Sequence, residues 1–434
     1  MRLTKHVNTL GLISLMALSL CGGVSAAAAD LEGMTQAVEG QVISWRRDFH
    51  EHPELSNREV ETSKKVAAAL KAMHIEVKTG LAHHGVVGIL HGKRPGHVVA
   101  LRSDMDALPV AEQTILPFSS KAMGDYQGKT VPVMHACGHD SHMAMLLGAA
   151  AVLSQMREQF NGTVVFIFQP AEEGVPEGET GGAPQMIVDG ALSNPTPEAI
   201  FGLHVWPGVA GHLYYRAGGA MASNDVFHIK LVGKQTHGAL PWGGIDVISL
   251  GAQLVQSFNE LVAREADQTK GATVITVGQF NAGVRTNIVP ETAELAGTIR
   301  NVDPANRALV LKRLRELVQA LAASAHVTAE VDIHEQNPIT YNDPKLTALT
   351  VASLEKAAGK SNVETAPVIT ASEDFSAYQK KIPGVFYFLG VDADGVAPED
   401  AARNHSGLFF VNEKALSVGV KAHVQTALDF LKRQ

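Results

Sequence analysis

Three apolar runs, His97 to Arg102, Thr163 to Phe168 and Ala199 to Leu203, each lead straight into residues that carry chemistry. The first enters Ser103-Asp104-Met105-Asp106-Ala107-Leu108-Pro109. The second enters Gln169-Pro170-Ala171-Glu172-Glu173-Gly174, and the third reaches His204. A short, continuous apolar run rich in β-branched residues and bounded by turn formers reads as a strand buried on both faces. Such strands belong to sheets covered by helices on either side. Two pairs of acids and an imidazole at their C-terminal ends place a site along the carboxyl edge of the sheet, where α/β folds build theirs. The pattern predicts an α/β fold with one convergent site.

The stretch Met134-His135-Ala136-Cys137-Gly138-His139-Asp140-Ser141-His142 supplies more of it. It packs a thiol, three imidazoles and a carboxylate ahead of a helix read over Met143 to Met156. Cys137 and His139 are two apart, so on a non-helical segment their side chains leave on the same side. A thiolate and a neutral imidazole are what zinc and other late divalent metals prefer.

The rest of the chain frames this centre. Residues 31–75 read as helical, interrupted at Pro53 within the stretch Trp45 to Leu55. Texture changes near Gly218. From there strands and helices alternate as βαββαβ: Asp225 to Val232, Asp246 to Glu265, Thr273 to Phe280, Glu291 to Arg300, Pro304 to Ala323 and Val327 to Ile333. That order builds a small sheet with two helices on one face. Asp303 caps the second helix, with Pro304 at its first position. The expected organisation is a catalytic domain in two parts, 30–217 and 336–434, interrupted by an inserted domain at 218–335.

The chain has 434 residues, 18% of them charged, and a net charge of −8 with no basic run. Nucleic-acid binding is not expected from such a chain. Residues 1–29 have the layout of a signal peptide: Arg2 and Lys5, an apolar run from Leu10 to Leu20, and small-residue cleavage stretches at Val24-Ser25-Ala26 and Ala27-Ala28-Ala29. The apolar run is shorter than the roughly 20 residues that span a bilayer, so no stable membrane association is expected after cleavage. The expected location is the periplasm or the medium. Of the two cysteines, Cys21 would leave with the signal and Cys137 would remain as a lone thiol, which a bound metal would protect.

Five ligand types are on offer: Cys137, His139, Glu173, His204 and His405, the last in the loop Asn404-His405-Ser406-Gly407. Two metals sharing a bridge need about that many, and a thiolate has lone pairs for two. Paired metals lie about 3.5–4 Å apart and lower the pKa of a water between them. Adjacent Glu172 and Glu173 diverge, so one can bind metal while the other faces the water as general base, then as the acid that protonates a leaving amine.

With these blocks in this order, the chain resembles the dinuclear metallohydrolases of peptidase family M twenty. It is most similar to the branch of aminoacylases, hippurate hydrolases, thermostable carboxypeptidases and indoleacetyl-amino acid hydrolases. The matching motifs include Arg46 to Leu55, Arg102 to Pro109, His135 to His142, Gln169 to Gly174, Gly233 to Pro241, Asn287 to Pro290, Ser372 to Phe375 and His405 to Gly407. The resemblance implies a mixed-sheet catalytic domain with an inserted α+β lid, often used to form a homodimer. It implies two divalent ions, zinc or manganese with nickel or cobalt also used, on Cys137, His139, Glu173, His204 and His405. Glu172 would be the base and Asp106 an orienting carboxylate. His237 would polarise the scissile carbonyl, in its own subunit or the partner's, and Asn287 and Arg300 would hold a substrate carboxylate. At Asp104 other branches place a ligand histidine, and at Cys137 a bridging aspartate. The implied activity is hydrolysis of the amide bond of N-acyl amino acids or small peptides.

Two other readings use fewer of these residues. A cysteine hydrolase built on Cys137 and His139 leaves Glu172, Glu173, His204 and His405 without a task. A non-catalytic periplasmic metal- or peptide-binding protein has no use for Glu172.

Overall fold

The computed structural model describes residues 22–397 and 400–433, with side chains from residue 31 onward. Residues 1–21, which hold most of the expected signal peptide, lie outside the described residues. Both expected cleavage stretches fall within the first helix, Gly22–Glu51.

The larger sheet is mixed and has eight strands among the described residues. Their order is Glu76–Leu81, Gly85–His91, Thr163–Gln169, Val98–Asp104, Ala199–Trp206, Gly384–Gly390, Leu213–Tyr215 and Val363–Thr365. The three apolar runs that lead into the acids and His204 lie side by side and parallel in its middle. Gly384–Gly390 continues the parallel set beside Ala199–Trp206. Their carboxyl ends therefore meet at one edge.

Helix His139–Gln155 explains why the sheet's middle is so apolar. Met143 to Ala150 of this helix are all buried, and it packs against the sheet and against the helices Gly22–Glu51 and Leu416–Leu431. Fully burying one leucine or phenylalanine side chain stabilises a fold by about 1.5–3 kcal/mol. A helix apolar on every side is stable only where both neighbours cover it. A second apolar layer, with Phe375, Tyr378 and Phe386, covers the sheet's other face.

The strand that carries His204 runs past its expected end. His204 lies inside the strand, because Val205 and Trp206 continue the parallel pairing with Leu389 and Gly390. The imidazole leaves from the strand's pleat and not from a following loop.

Residues 224–337 form a separate antiparallel sheet in the order Thr273–Ala282, Thr292–Asn301, Asn224–Val232, Thr328–Asn337. Helices Val247–Arg264 and Pro304–Ser324 share its apolar core. Asp246 and Asp303 cap them, each accepting two backbone N–H groups. Such caps contribute about 1 kcal/mol each. A short ribbon, Gly218–Met221 against Thr340–Asn342, joins this unit to the rest.

Candidate metal centre and active site

The Cys137 loop turns into its helix at Gly138, whose φ is +91°. A Cβ at this position would lie 2.3 Å from Val205 Cγ2. Only glycine accepts both the left-handed backbone and the close approach. The turn sets Cys137 and His139 toward the sheet's carboxyl edge, with both side chains buried.

The expected ligands face one another across the site. His204 Nδ1 donates to the Val205 carbonyl at 2.7 Å, and its Nε2 faces Cys137 Sγ at 3.5 Å. Burial, reinforced by nearby His142, holds His204 well below the usual imidazole range, so it is neutral. His139 Nδ1 lies 3.3 Å from Asp106 Oδ1, which leaves Nε2 pointing to Glu173 Oε1 at 3.8 Å. Glu173 Oε1 is also 3.1 Å from His405 Nε2. Glu173 Oε1 and both His139 nitrogens are enclosed and make no hydrogen bond. Ligand atoms of Cys137, Glu173 and His405 lie within 4.8 Å of one another, as do those of His139, Glu172 and Glu173.

The electrostatics fit a cation. Burial opposes charge on His139, yet Asp104, Asp106 and Glu173 push it up to about 10. A group of carboxylates that draws a proton this strongly would draw a divalent ion as well. Burial first, then Glu173 and Glu172, push the Cys137 thiol well up. A cysteine nucleophile needs the opposite setting, a thiolate stabilised by positive charge. These surroundings argue against the cysteine-hydrolase reading, whereas a coordinated metal would hold the thiolate directly.

His142 shows why residue type alone does not make a ligand. Asp104 accepts from its Nδ1, and its Nε2 accepts the Val205 N–H at 2.8 Å. Both nitrogens are used, as expected for a structural histidine. Asp104 itself is held by Arg102 Nη1 at 2.7 Å. Fully buried Arg102 also reaches Glu373 at 2.9 Å and Asp374 at 3.0 Å.

Glu172 and Glu173 both approach His139 but have different further neighbours. Glu172 lies among Glu373 and Asp374, with carboxylate oxygens of all three within 4.8 Å. Burial, then Glu373, Glu173 and Asp374, push Glu172 well above the usual carboxylate range. A cleft of about 220 Å³ opens over Cys137, Glu172, Glu173, His204 and His405, with Trp206 and Met221 as apolar wall.

His237, Asn287 and Arg300 are not brought to this cleft. His237 sits exposed on the ribbon Thr236–His237 against Ile288–Val289, beside Asn287, whose carbonyl accepts from Gly238. Arg300 lies in the strand Thr292–Asn301. It makes no ion pair among the described residues, and its Nη1 is enclosed without a partner.

Several contributors were not singled out from the sequence. Asn404 donates to the Cys137 carbonyl at 3.1 Å and the Val205 carbonyl at 3.3 Å, tying the His405 loop to the Cys137 loop and to the strand that carries His204. Its one visible signal was its place directly before His405. Ser56 donates to Asp106 at 2.7 Å. Arg102 and Glu373 belonged to motif blocks but had no assigned task.

Comparison with known proteins adds to this geometry. Peptidase family M20/M25/M40 matches the chain over residues 100–429. Thermostable carboxypeptidase 2 of Saccharolobus solfataricus is 38% identical over 408 residues, covering 92% of this chain and 98% of that protein. N-acetylcysteine deacetylase of Bacillus subtilis is 36% identical over 401 residues, covering 92% and 98%. A solved Bacillus subtilis structure, described as a dinuclear metal binding peptidase from M20 family, superposes with a TM-score of 0.75 at 33% identity, over 92% of this chain and 99% of that one.

Proposed function

The chain belongs to peptidase family M20/M25/M40, and from that premise we propose that it cleaves the amide bond of N-acyl amino acids or small peptides with Glu172 as general base. That it is a metal-dependent hydrolase of amide bonds follows from the family. The finer reading rests on one observation: of two adjacent carboxylates that both approach His139, Glu173 is the one that meets Cys137 and His405, while Glu172 is the one that meets Glu373 and Asp374.

Two divalent ions held by Cys137, His139, Glu173, His204 and His405 would supply Lewis acidity and a water acidic enough to react near neutral pH. A thiolate among the ligands favours zinc, with manganese, nickel or cobalt as the other choices. Glu172 takes the proton as the water oxygen bonds to the carbonyl carbon. It returns that proton to the amide nitrogen as the carbon–nitrogen bond breaks, leaving a carboxylic acid and an amine. A carboxyl group raised above its usual range is suited to both halves of that cycle. Asp106 keeps His139 in the tautomer whose Nε2 faces the cleft.

The same reading gives residues 218–335 the role of lid and dimer contact. It places His237, Asn287 and Arg300 on substrate only after closure or from a partner subunit. Residues 1–29 would direct export to the periplasm. A panel of N-acetyl, N-benzoyl and indoleacetyl amino acids and dipeptides, assayed with zinc and manganese, tests the activity. Turnover abolished by chelation and restored by metal is the expected result. A purified, metal-loaded protein that hydrolyses none of them overturns it.

A further inference from the structure

The segment Glu54–Glu59 is tied to both acid-bearing loops of the site. Glu54's carbonyl accepts the Ala107 N–H at 2.8 Å, and Ser56 donates to Asp106 at 2.7 Å. Glu59, 0% exposed, accepts the Ala171 N–H at 2.9 Å. Its second carboxyl oxygen is enclosed without a partner. Ala171 is the residue directly before Glu172, is itself buried, and has a φ of +54°.

A left-handed backbone is costly for any residue with a Cβ, and it persists where the surroundings over-determine it. Glycine would take this conformation freely. At Ala171 the hold must come from outside the loop, and Glu59 is the side chain that bonds its N–H. The conformation matters because it lies between a strand-end residue, Gln169, and two carboxylates that must face different ways.

We propose that Glu59 is a positioning residue, whose buried carboxyl holds Ala171 in the left-handed conformation that aims Glu172 and Glu173 at separate tasks. The inference rests on the roles assigned above to those two glutamates. Glu59 touches no reacting atom and acts through the Ala171 N–H. Burial and Asp106 push Glu59 up to about 8, so the neutral carboxyl prevails at neutral pH and glutamine is its close mimic.

The test compares Glu59→Leu, Glu59→Gln, Ala171→Gly and Glu59→Leu/Ala171→Gly in the full-length, zinc-loaded protein. Leucine fills the space and removes the acceptor; glutamine keeps it. Small misplacements of a catalytic group cost up to about 100-fold, so Glu59→Leu is expected to lose roughly 10- to 100-fold in kcat with little change in KM. Glu59→Gln is expected to stay close to wild type. Glycine at 171 takes the left-handed backbone without help, so the double variant is expected to regain most of the lost kcat. A second readout needs no turnover: zinc affinity by chelator competition should weaken in Glu59→Leu, since Glu173 is displaced, and recover in the double variant. If Glu59→Leu does not fold, Glu59→Asp, which draws the carboxyl back by one methylene, carries the same expectations. Normal kcat and zinc affinity in Glu59→Leu, or a double variant no better than the single one, overturns the assignment. If the wild type hydrolyses nothing in the panel, the functional reading fails, and the zinc measurements still decide the role of Glu59.

Discussion

The Glu173 backbone N–H donates to Asp106 Oδ2 at 3.0 Å, while the other oxygen of the same carboxylate faces His139 Nδ1 at 3.3 Å. One buried side chain therefore sets the position of two expected ligands from opposite loops. Burial opposes its ionisation, but nearby His139 and the Glu173 N–H hold Asp106 below the usual carboxylate range.

Asp106→Asn keeps the shape of this contact and removes its charge. Loss of such an orienting partner typically costs about 10- to 100-fold in metal affinity. Chelator competition on the purified variant reads this directly. Wild-type affinity in Asp106→Asn would show that His139 and Glu173 are held without it.

Glu172→Gln removes the proton acceptor and no ligand. Metal content should match wild type, and kcat should fall by about 10²–10⁴-fold or more, the usual contribution of a general acid–base group. Metal analysis beside steady-state kinetics separates the two effects. Activity within a few-fold of wild type sinks the assignment.

Gly138→Ala places a methyl group against Val205 Cγ2 on a backbone with φ +91°. The left-handed conformation costs about 1–2 kcal/mol for a residue with a Cβ, and forced overpacking adds about 1–3 kcal/mol. The thermal midpoint should drop by several degrees and metal occupancy should fall with it. An unchanged midpoint means the loop can move away from Val205 freely.

Stability should depend on pH through Glu59. Its folded pKa is raised to about 8 by burial and then by Asp106, against about 4.3 unfolded. Between those values the native state keeps a proton that the unfolded chain has lost. Native stability from this group therefore falls as pH rises from about 4.3 to 8, and is level beyond. Glu59→Gln cannot ionise, so its thermal midpoint should gain on wild type between pH 5 and pH 8. A midpoint difference that stays constant over that range argues that Glu59 is already ionised in the fold.

His237→Ala should lower kcat far more than it raises KM if the lid presents this imidazole to the carbonyl, since one such donor is worth about 10²–10³-fold. His237 is exposed and apart from the cleft in its own chain. Mixing His237→Ala with Glu172→Gln subunits should restore part of the activity in a heterodimer if it acts across subunits. A verified heterodimer with no recovery confines His237 to its own subunit or removes it from the mechanism.

Much of the site could be read before folding because its signals are local. Val98–Asp104 and Thr163–Gln169 are apolar enough to mark themselves as buried strands, so the acids after them had to gather at one sheet edge. Cys137, Gly138 and His139 are neighbours in the chain, and their turn depends on one glycine. The cap at Asp303 followed from two adjacent residues.

The supports could not be read this way. Arg102 meets Asp374 across 272 positions, Asn404 meets Cys137 across 267, and Glu59 meets Ala171 across 112. Each is an ordinary polar residue in its own segment. Its role appears only when burial removes water and leaves one partner in reach. His142 carried the same local signal as His139 and was separated from it by the Val205 N–H. Composition, strand pattern and ligand spacing thus determined the class of fold and which residues could bind metal. Tertiary packing decided which lone pairs stay free for it, because only the folded chain shows which hydrogen bonds have already used the others.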